Sequence, residues 1–247
     1  MYRDDLSAFH TRLPPNMQEN RFVRHELRTL DLDASRAFYA DVLGDDFWQG
    51  SGLALSRLPE RAVAMGAPQH WLGLVGVRDF DVKADQLTAS GAQPLGPRRN
   101  DGGVSDAVLR DPFGAVFGIT SDTAVAPNDR VAWWLLNVHD ETTAFAWYAR
   151  HFWWAAQERH EQGATTTQNF GWTTSSPTVG SVANSARLPG VHTHWLYGFR
   201  VSHLDEAIAR VRAAGGKSLP PTRTPAGDLV AVCDDAQGAA FGLCQRT

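Results

Sequence analysis

Glu26 and His70 are a carboxylate and an imidazole of types that suit proton exchange, and Arg24 and Arg28 flank the carboxylate two residues away on either side. A carboxylate and an imidazole can do acid–base work. A guanidinium beside them can anchor an anionic substrate group. The same residues also have a plainer use, because Glu26 can form a structural ion pair with Arg24 or Arg28. A second grouping is His192-Thr193-His194, where one intervening residue puts two imidazoles on one strand face, as the start of a metal site. Alternatively His192 ends a loop and His194 is simply hydrogen-bonded. Tryptophan is the third resource: nine occur in 247 residues, and Trp133, Trp134, Trp147, Trp153 and Trp154 crowd together. Most of these suit a core, and a tryptophan in a cavity can stack on a planar ligand. Cys233 and Cys244 are too few for a disulfide framework and fall out of register in the last hairpin. They imply a reducing, cytoplasmic setting. No G-x-x-x-x-G-K-[ST], G-x-G-x-x-G or G-x-S-x-G pattern offers a nucleotide loop or a nucleophile elbow.

The elements that must position these residues come twice. At a shift of 109, Leu27, Asp31, Ala37, Tyr39 and Ala40 fall on Leu136, Asp140, Ala146, Tyr148 and Ala149. At a shift of 124, residues 70–119 align without gaps to 194–243, with eighteen of fifty positions identical. The change of shift places a net 15-residue insertion between Trp154 and His192, in the Gly/Thr/Ser-rich run from Glu161 to Ser181. The chain therefore divides into an N-terminal extension (1–21), a first domain (22–120), a linker (121–130) and a second domain (131–247). Each copy reads as strand–helix–strands, twice over. Residues 23–29 and 70–77 have strand patterns. Residues 31–44 read as a helix with Asp31 or Asp33 as N-cap and Gly44 at its end. Asp111-Pro112-Phe113-Gly114 reads as a hairpin turn. The fold class is α+β, four βαβββ modules in two tandem domains.

Apolar residues make up 43%, charged residues 20%, and the net charge is −4. Such a chain can bury a core, which excludes general disorder. The slightly acidic balance disfavours nucleic acid as a partner, and the absence of a run of about 20 apolar residues disfavours a membrane span. The first residues lack the layout of a secretory signal.

At these residues the chain resembles the vicinal oxygen chelate superfamily of glyoxalases, bleomycin resistance proteins and extradiol dioxygenases. The resemblance rests on Asp31, Ser35, Phe38 and Tyr39 after the first strand, and on D-P-F-G-x-x-F from Asp111 to Phe117. Glu26 to Asp31, the His-Trp-Leu before the second helix, and Gly215-Gly216 are similar to tandem-domain, hydroxylase-like glyoxalase proteins. The resemblance implies curved sheets wrapped around cups. Strand alternation then points Arg24, Glu26 and Arg28, with His70, Leu72 and Leu74, into the first cup. Trp133, Leu135 and Asn137, with His194, Leu196 and Arg200, point into the second. Val116 and Gly118, and Ala240 and Gly242, complete the two sets. Metal-dependent members keep His, Gln or Glu on these strands. Here the corresponding positions hold Arg24, Leu72 and Gly118 in one copy and Trp133, Leu196 and Gly242 in the other. None can ligate through its side chain, which argues against a divalent metal there and against glyoxalase I or extradiol dioxygenase chemistry.

Three readings follow. The first is a metal-independent binder of a hydrophobic or aromatic small molecule, lined by Arg24, Arg28, Leu72, Trp133, Asn137, His194 and Arg200, with Trp172 as a lid over the second cup. The second is a metal-independent isomerase, epimerase or cyclase with Glu26 and His70 as acid and base. The third is a regulatory module with unused cups. No cofactor is expected, the partner is a small molecule, and the chain is a monomer or homodimer.

Overall fold

Strand β1 (Phe22–Thr29) alternates as its sequence suggests: His25, Leu27 and Thr29 are buried, while Arg24, Glu26 and Arg28 stay partly open on the other face. In the computed structural model, residues 19–126, 129–224 and 227–246 are described; most of the expected N-terminal extension lies outside them. Helix α1 (Leu32–Leu43) starts where Asp31 accepts the Ala34 amide at 3.0 Å. It stops at Gly44, whose φ of 105° suits glycine. Ser35, Phe38, Tyr39 and Val42 form its buried stripe.

The first half continues with β2 (Leu53–Arg57), α2 (Glu60–Ala64), β3 (His70–Gly76), α3 (Phe80–Ala89), β4 (Gln93–Pro94), β5 (Arg99–Asp101), β6 (Val104–Arg110) and β7 (Val116–Thr120). Its sheet runs β2-β1-β3-β7-β6-β4, with β5 on β6. The second half holds β8 (Val131–Asn137), α4 (Glu141–Phe152), β9 (Ala155–Gln162), β10 (Thr165–Gly171), β11 (Gly180–Ala183), β12 (His194–Arg200), α5 (Leu204–Ala213), β13 (Lys217–Ser218), β14 (Thr222–Arg223), β15 (Leu229–Asp234) and β16 (Ala240–Gln245). Its sheet runs β13-β15-β16-β12-β8-β11-β10-β9, with β14 on β15. Both sheets share one plan: an antiparallel centre (β1 with β3, β8 with β12) flanked by parallel pairs (β3 with β7, β12 with β16).

The modules are unequal. The first has only the strands β1 and β2, with α1 and the short α2, whereas the third has the added hairpin β9–β10. The inserted run is therefore mostly strand. Its threonines are β-branched and suit a pleated surface.

The two halves interlock. Tyr39 of α1 accepts the Trp71 indole N–H at 2.8 Å and donates to Asp235, in the β15–β16 turn of the other half, at 3.3 Å. Tyr148 of α4 repeats this with Trp195 at 3.0 Å and Asp111, in the β6–β7 turn, at 2.7 Å. The repeated Tyr, Trp and Asp thus form two crossed triads. Each Asp also accepts backbone amides of its own turn: Phe113 and Ala115 for Asp111, Gln237 and Ala239 for Asp235.

β3 and β12 meet where the Gly73 amide donates to Tyr197 Oη at 2.8 Å. A Cβ there would lie 2.5 Å from that oxygen and 2.7 Å from the Phe22 ring. Gly73→Ala is expected to lower stability by about 1–3 kcal/mol through overpacking, read as a lower urea midpoint at unchanged slope. No helix among the described residues is long and apolar enough to cross a membrane.

Candidate functional site

The concave face of the first sheet is built from alternate residues of β1, β3, β6 and β7. Register sets Arg24, Leu74, Gly118 and Val108 in one row, and Arg28 opposite His70 in another. Arg24 forms an ion pair with Asp106 of β6. Arg28 Nε lies 3.3 Å from Glu26, which also accepts from Ser56 of β2. These pairs cover the floor: Leu72 and Leu74 are fully buried beneath them. Leu72 is therefore not open to a ligand, contrary to the sequence expectation. Arg24 Nε and Asp106 Oδ1 are buried without hydrogen-bond partners.

His70 directs Nδ1–H to the Pro68 carbonyl at 2.8 Å, because a carbonyl only accepts. Its Nε2 keeps the lone pair. Burial lowers the His70 pKa, the Pro68 contact opposes this, and Arg28 adds to the lowering. Glu26 is held by Arg28 and Ser56, so the expected Glu26–His70 pair shares a face without a direct bond between them.

The second cup differs in character. One row runs His160, Thr167, Ala183, Asn137 and His194 across β9, β10, β11, β8 and β12. Another runs Trp133, Gly198, Gly242 and Val232 across β8, β12, β16 and β15. Asn137 accepts from Ser185 at 2.5 Å and lies 3.4 Å from His194 Nε2. Ser181 donates to Asn169 at 2.7 Å. The Arg246 guanidinium sits 5.6 Å from the centre of the Trp133 ring. This cup holds an indole with the Arg246 guanidinium beside it and the uncharged Asn137, whereas ion pairs line the first cup.

Two further expectations are corrected. Trp172 does not cover the second cup. It packs on the opposite, buried side against Trp134 at 5.2 Å and Phe170 at 5.7 Å, because it follows β10 two residues after the buried Phe170 and shares that face. Arg200 also leaves the cup. Arg200, the last residue of β12, is exposed, and its Nε donates to the Asp129 carbonyl at 3.2 Å in a separate cleft. His192 is exposed outside β12 and meets His194 through its backbone carbonyl, at 2.7 Å.

The residues do not fit the superfamily's metal. Besides the non-ligating side chains, a Cβ at Gly118 would lie 2.7 Å from Leu74 Cγ, and one at Gly242 would lie 3.1 Å from Gly198 Cα. An acidic ligand therefore has no room at either position without rearrangement. Among the described residues, no cluster of three or more His, Cys, Asp or Glu is arranged to hold a metal ion.

Sequence reasoning missed Asp106, Ser56 and Arg246. Asp106 carried a signal, since it alternates with buried Ala107 and Leu109, but its partner is 82 residues away.

Residues 130–243 match the Glyoxalase/Bleomycin resistance protein/Dioxygenase superfamily. The chain is 25% identical over 242 residues to "Putative glyoxylase CFP32" of Mycobacterium tuberculosis, covering 88% of this chain and 92% of that protein. Among solved structures, the Mn(II)-bound glyoxalase from Novosphingobium aromaticivorans superposes with a TM-score of 0.60 at 15% identity, covering 93% of this chain and 83% of that one. The E323L mutant of homoprotocatechuate 2,3-dioxygenase from Brevibacterium fuscum gives 0.64 at 15% identity, covering 94% and 73%. The second half of the chain thus matches the glyoxalase, bleomycin resistance and dioxygenase superfamily, and the chain as a whole takes the fold of solved glyoxalases and extradiol dioxygenases.

Proposed function

We propose that the second cup binds a hydrophobic or aromatic small molecule without a metal. The observation that carries this reading is the row Trp133–Gly198–Gly242–Val232. Two glycines leave the floor beside the half-buried indole without side chains. At about 4.8 Å per strand spacing, the row offers roughly 14 Å between Trp133 and Val232. A flat ring can lie there against the indole, with Leu135 and Leu196 beside it. Asn137 and His194 supply polar contacts. Asp234 and Arg246 mark opposite ends of the β15–β16 pair.

Titration with 2-naphthol is expected to quench tryptophan fluorescence equally in untreated and EDTA-treated protein. Trp133→Ala is expected to weaken binding about tenfold, the value of a good aromatic contact. Equal affinity in Trp133→Ala, or loss of binding after EDTA, would reject the reading.

A second reading is a metal-independent isomerase, epimerase or cyclase acting in the first cup. The lone pair of His70 Nε2 favours it, since Nδ1 donates to Pro68 and burial, by lowering the pKa, favours the neutral imidazole on the face that also carries Arg28 and Glu26. Turnover surviving both Glu26→Gln and His70→Ala would exclude it.

A further inference from the structure

Where the two halves meet, apart from the floors of both cups, a cleft of about 420 Å³ opens between the end of α1, the chain entering β8 and the turn from β12 into α5. Three arginines line it: Arg130, Arg200 and Arg210. Backbone carbonyls help to hold two of them. Arg210 Nε donates to Val42 O at 3.1 Å, across the seam, and Arg200 Nε donates to Asp129 O at 3.2 Å. Arg200 has no carboxylate partner among the described residues. Arg210 has only a loose contact of 3.8 Å with Glu206, and both of those side chains are well exposed. Arg130 is bound to Asp46 at 2.5 Å.

A guanidinium oriented through Nε still offers its terminal N–H groups, and two such forks suit the oxygens of an oxyanion. Helix α5 begins at this wall, its first amide, Leu204 N–H, donating to Gln245 Oε1 at 2.7 Å. Its positive end adds to the field, although Asp205 and Glu206 in the first turn offset part of it. The carboxylates of Asp129 and Glu206 also line the cleft and can accept only from donors. The volume lies within the usual range for small-ligand sites, roughly 300–1,000 Å³.

We propose that this cleft binds a small metabolite carrying a phosphate or carboxylate group together with hydroxyl or amino donors. The oxyanion sits between Arg200 and Arg210, and the donors face Asp129 and Glu206. Because Val42 belongs to the first half and Arg200 and Arg210 to the second, the ligand bridges the seam. The site is independent of the cup reading.

The test is calorimetric titration of the full chain with inorganic phosphate, and separately with citrate, at constant ionic strength set with chloride. Saturable binding of at least one of them is expected. Phosphate alone or citrate alone would identify the headgroup. Arg200→Gln and Arg210→Gln are each expected to weaken it about tenfold or more, the scale of a charge-assisted hydrogen bond. Trp133→Ala should leave it unchanged. Circular dichroism and thermal midpoints establish that each variant is folded, and Arg200→Gln, at an exposed site, is the decisive one. Absence of saturable binding by both anions, unchanged affinity in folded Arg200→Gln, or loss of binding in Trp133→Ala overturns the proposal.

Discussion

Lowering the pH from 7.5 to 5 is expected to cost the protein about 2 kcal/mol through one side chain, His25. Its ring is completely buried, and burial pushes its pKa from 6.5 down to about 3. The geometry gives the reason. Trp134 Nε1–H donates to His25 Nε2 at 2.9 Å, so that nitrogen must stay unprotonated while the bond lasts. Nδ1 has no partner. The surroundings are Phe22, Trp134 and Tyr197, whose ring centre is 4.9 Å away. Tyr197 is also buried, its pKa is raised, and it offers no negative charge.

An imidazolium here would thus be uncompensated, whereas the unfolded chain protonates His25 freely. This contribution is fully present above pH 6.5 and is lost progressively as the pH falls toward 3, reaching about 4 kcal/mol. His70, His194 and His151 also have lowered pKa values and act in the same direction. The measurement is therefore a comparison. His25→Gln keeps an amide oxygen that can accept from Trp134 but does not titrate. Urea unfolding at both pH values should show the parent losing about 2 kcal/mol more than the variant. Equal losses would remove His25 as the cause.

Tyr148→Phe is expected to lower stability by about 1–3 kcal/mol, with a thermal midpoint lower by roughly 2–4 °C per kcal/mol. The hydroxyl is the middle member of a buried chain: it accepts from Trp195 and donates to Asp111. Removing it strands an indole N–H and a carboxylate oxygen together. Asp111 already has its pKa raised by burial, opposed by the Tyr148 bond and by backbone amides. Loss of the tyrosine removes its strongest side-chain donor. The variant should therefore lose more at neutral pH, where the carboxylate is charged, than near pH 4. Tyr39→Phe is expected to cost less, because its bond to Asp235 is longer, 3.3 Å against 2.7 Å. A Tyr148→Phe protein as stable as the parent at pH 7 would show that these triads do not hold the halves together.

Much of the fold was legible because it rests on local rules. Alternation separated Arg24, Glu26 and Arg28 from His25, Leu27 and Thr29, as found. Asp31 and Gly44 bounded α1 as read. The repeat marked Tyr39/Tyr148, Trp71/Trp195 and Asp111/Asp235, though not their common purpose across the seam. The site was less legible. Arg24 found Asp106 rather than Glu26, and Arg200 found the Asp129 carbonyl, 71 residues away, in a cleft outside the cup.

From sequence alone came the doubling, the strand faces, the turns, and the loss of ligating side chains at the superfamily's metal positions. These depend on residue type and short-range periodicity, which a linear chain displays. Tertiary structure decided that one cup is lined by ion pairs while the other keeps an indole beside two glycines. It also decided that Trp172 is core and that three arginines meet in a seam. Those outcomes depend on which distant strands become neighbours, and long-range contact is what the order of residues along a chain leaves unstated.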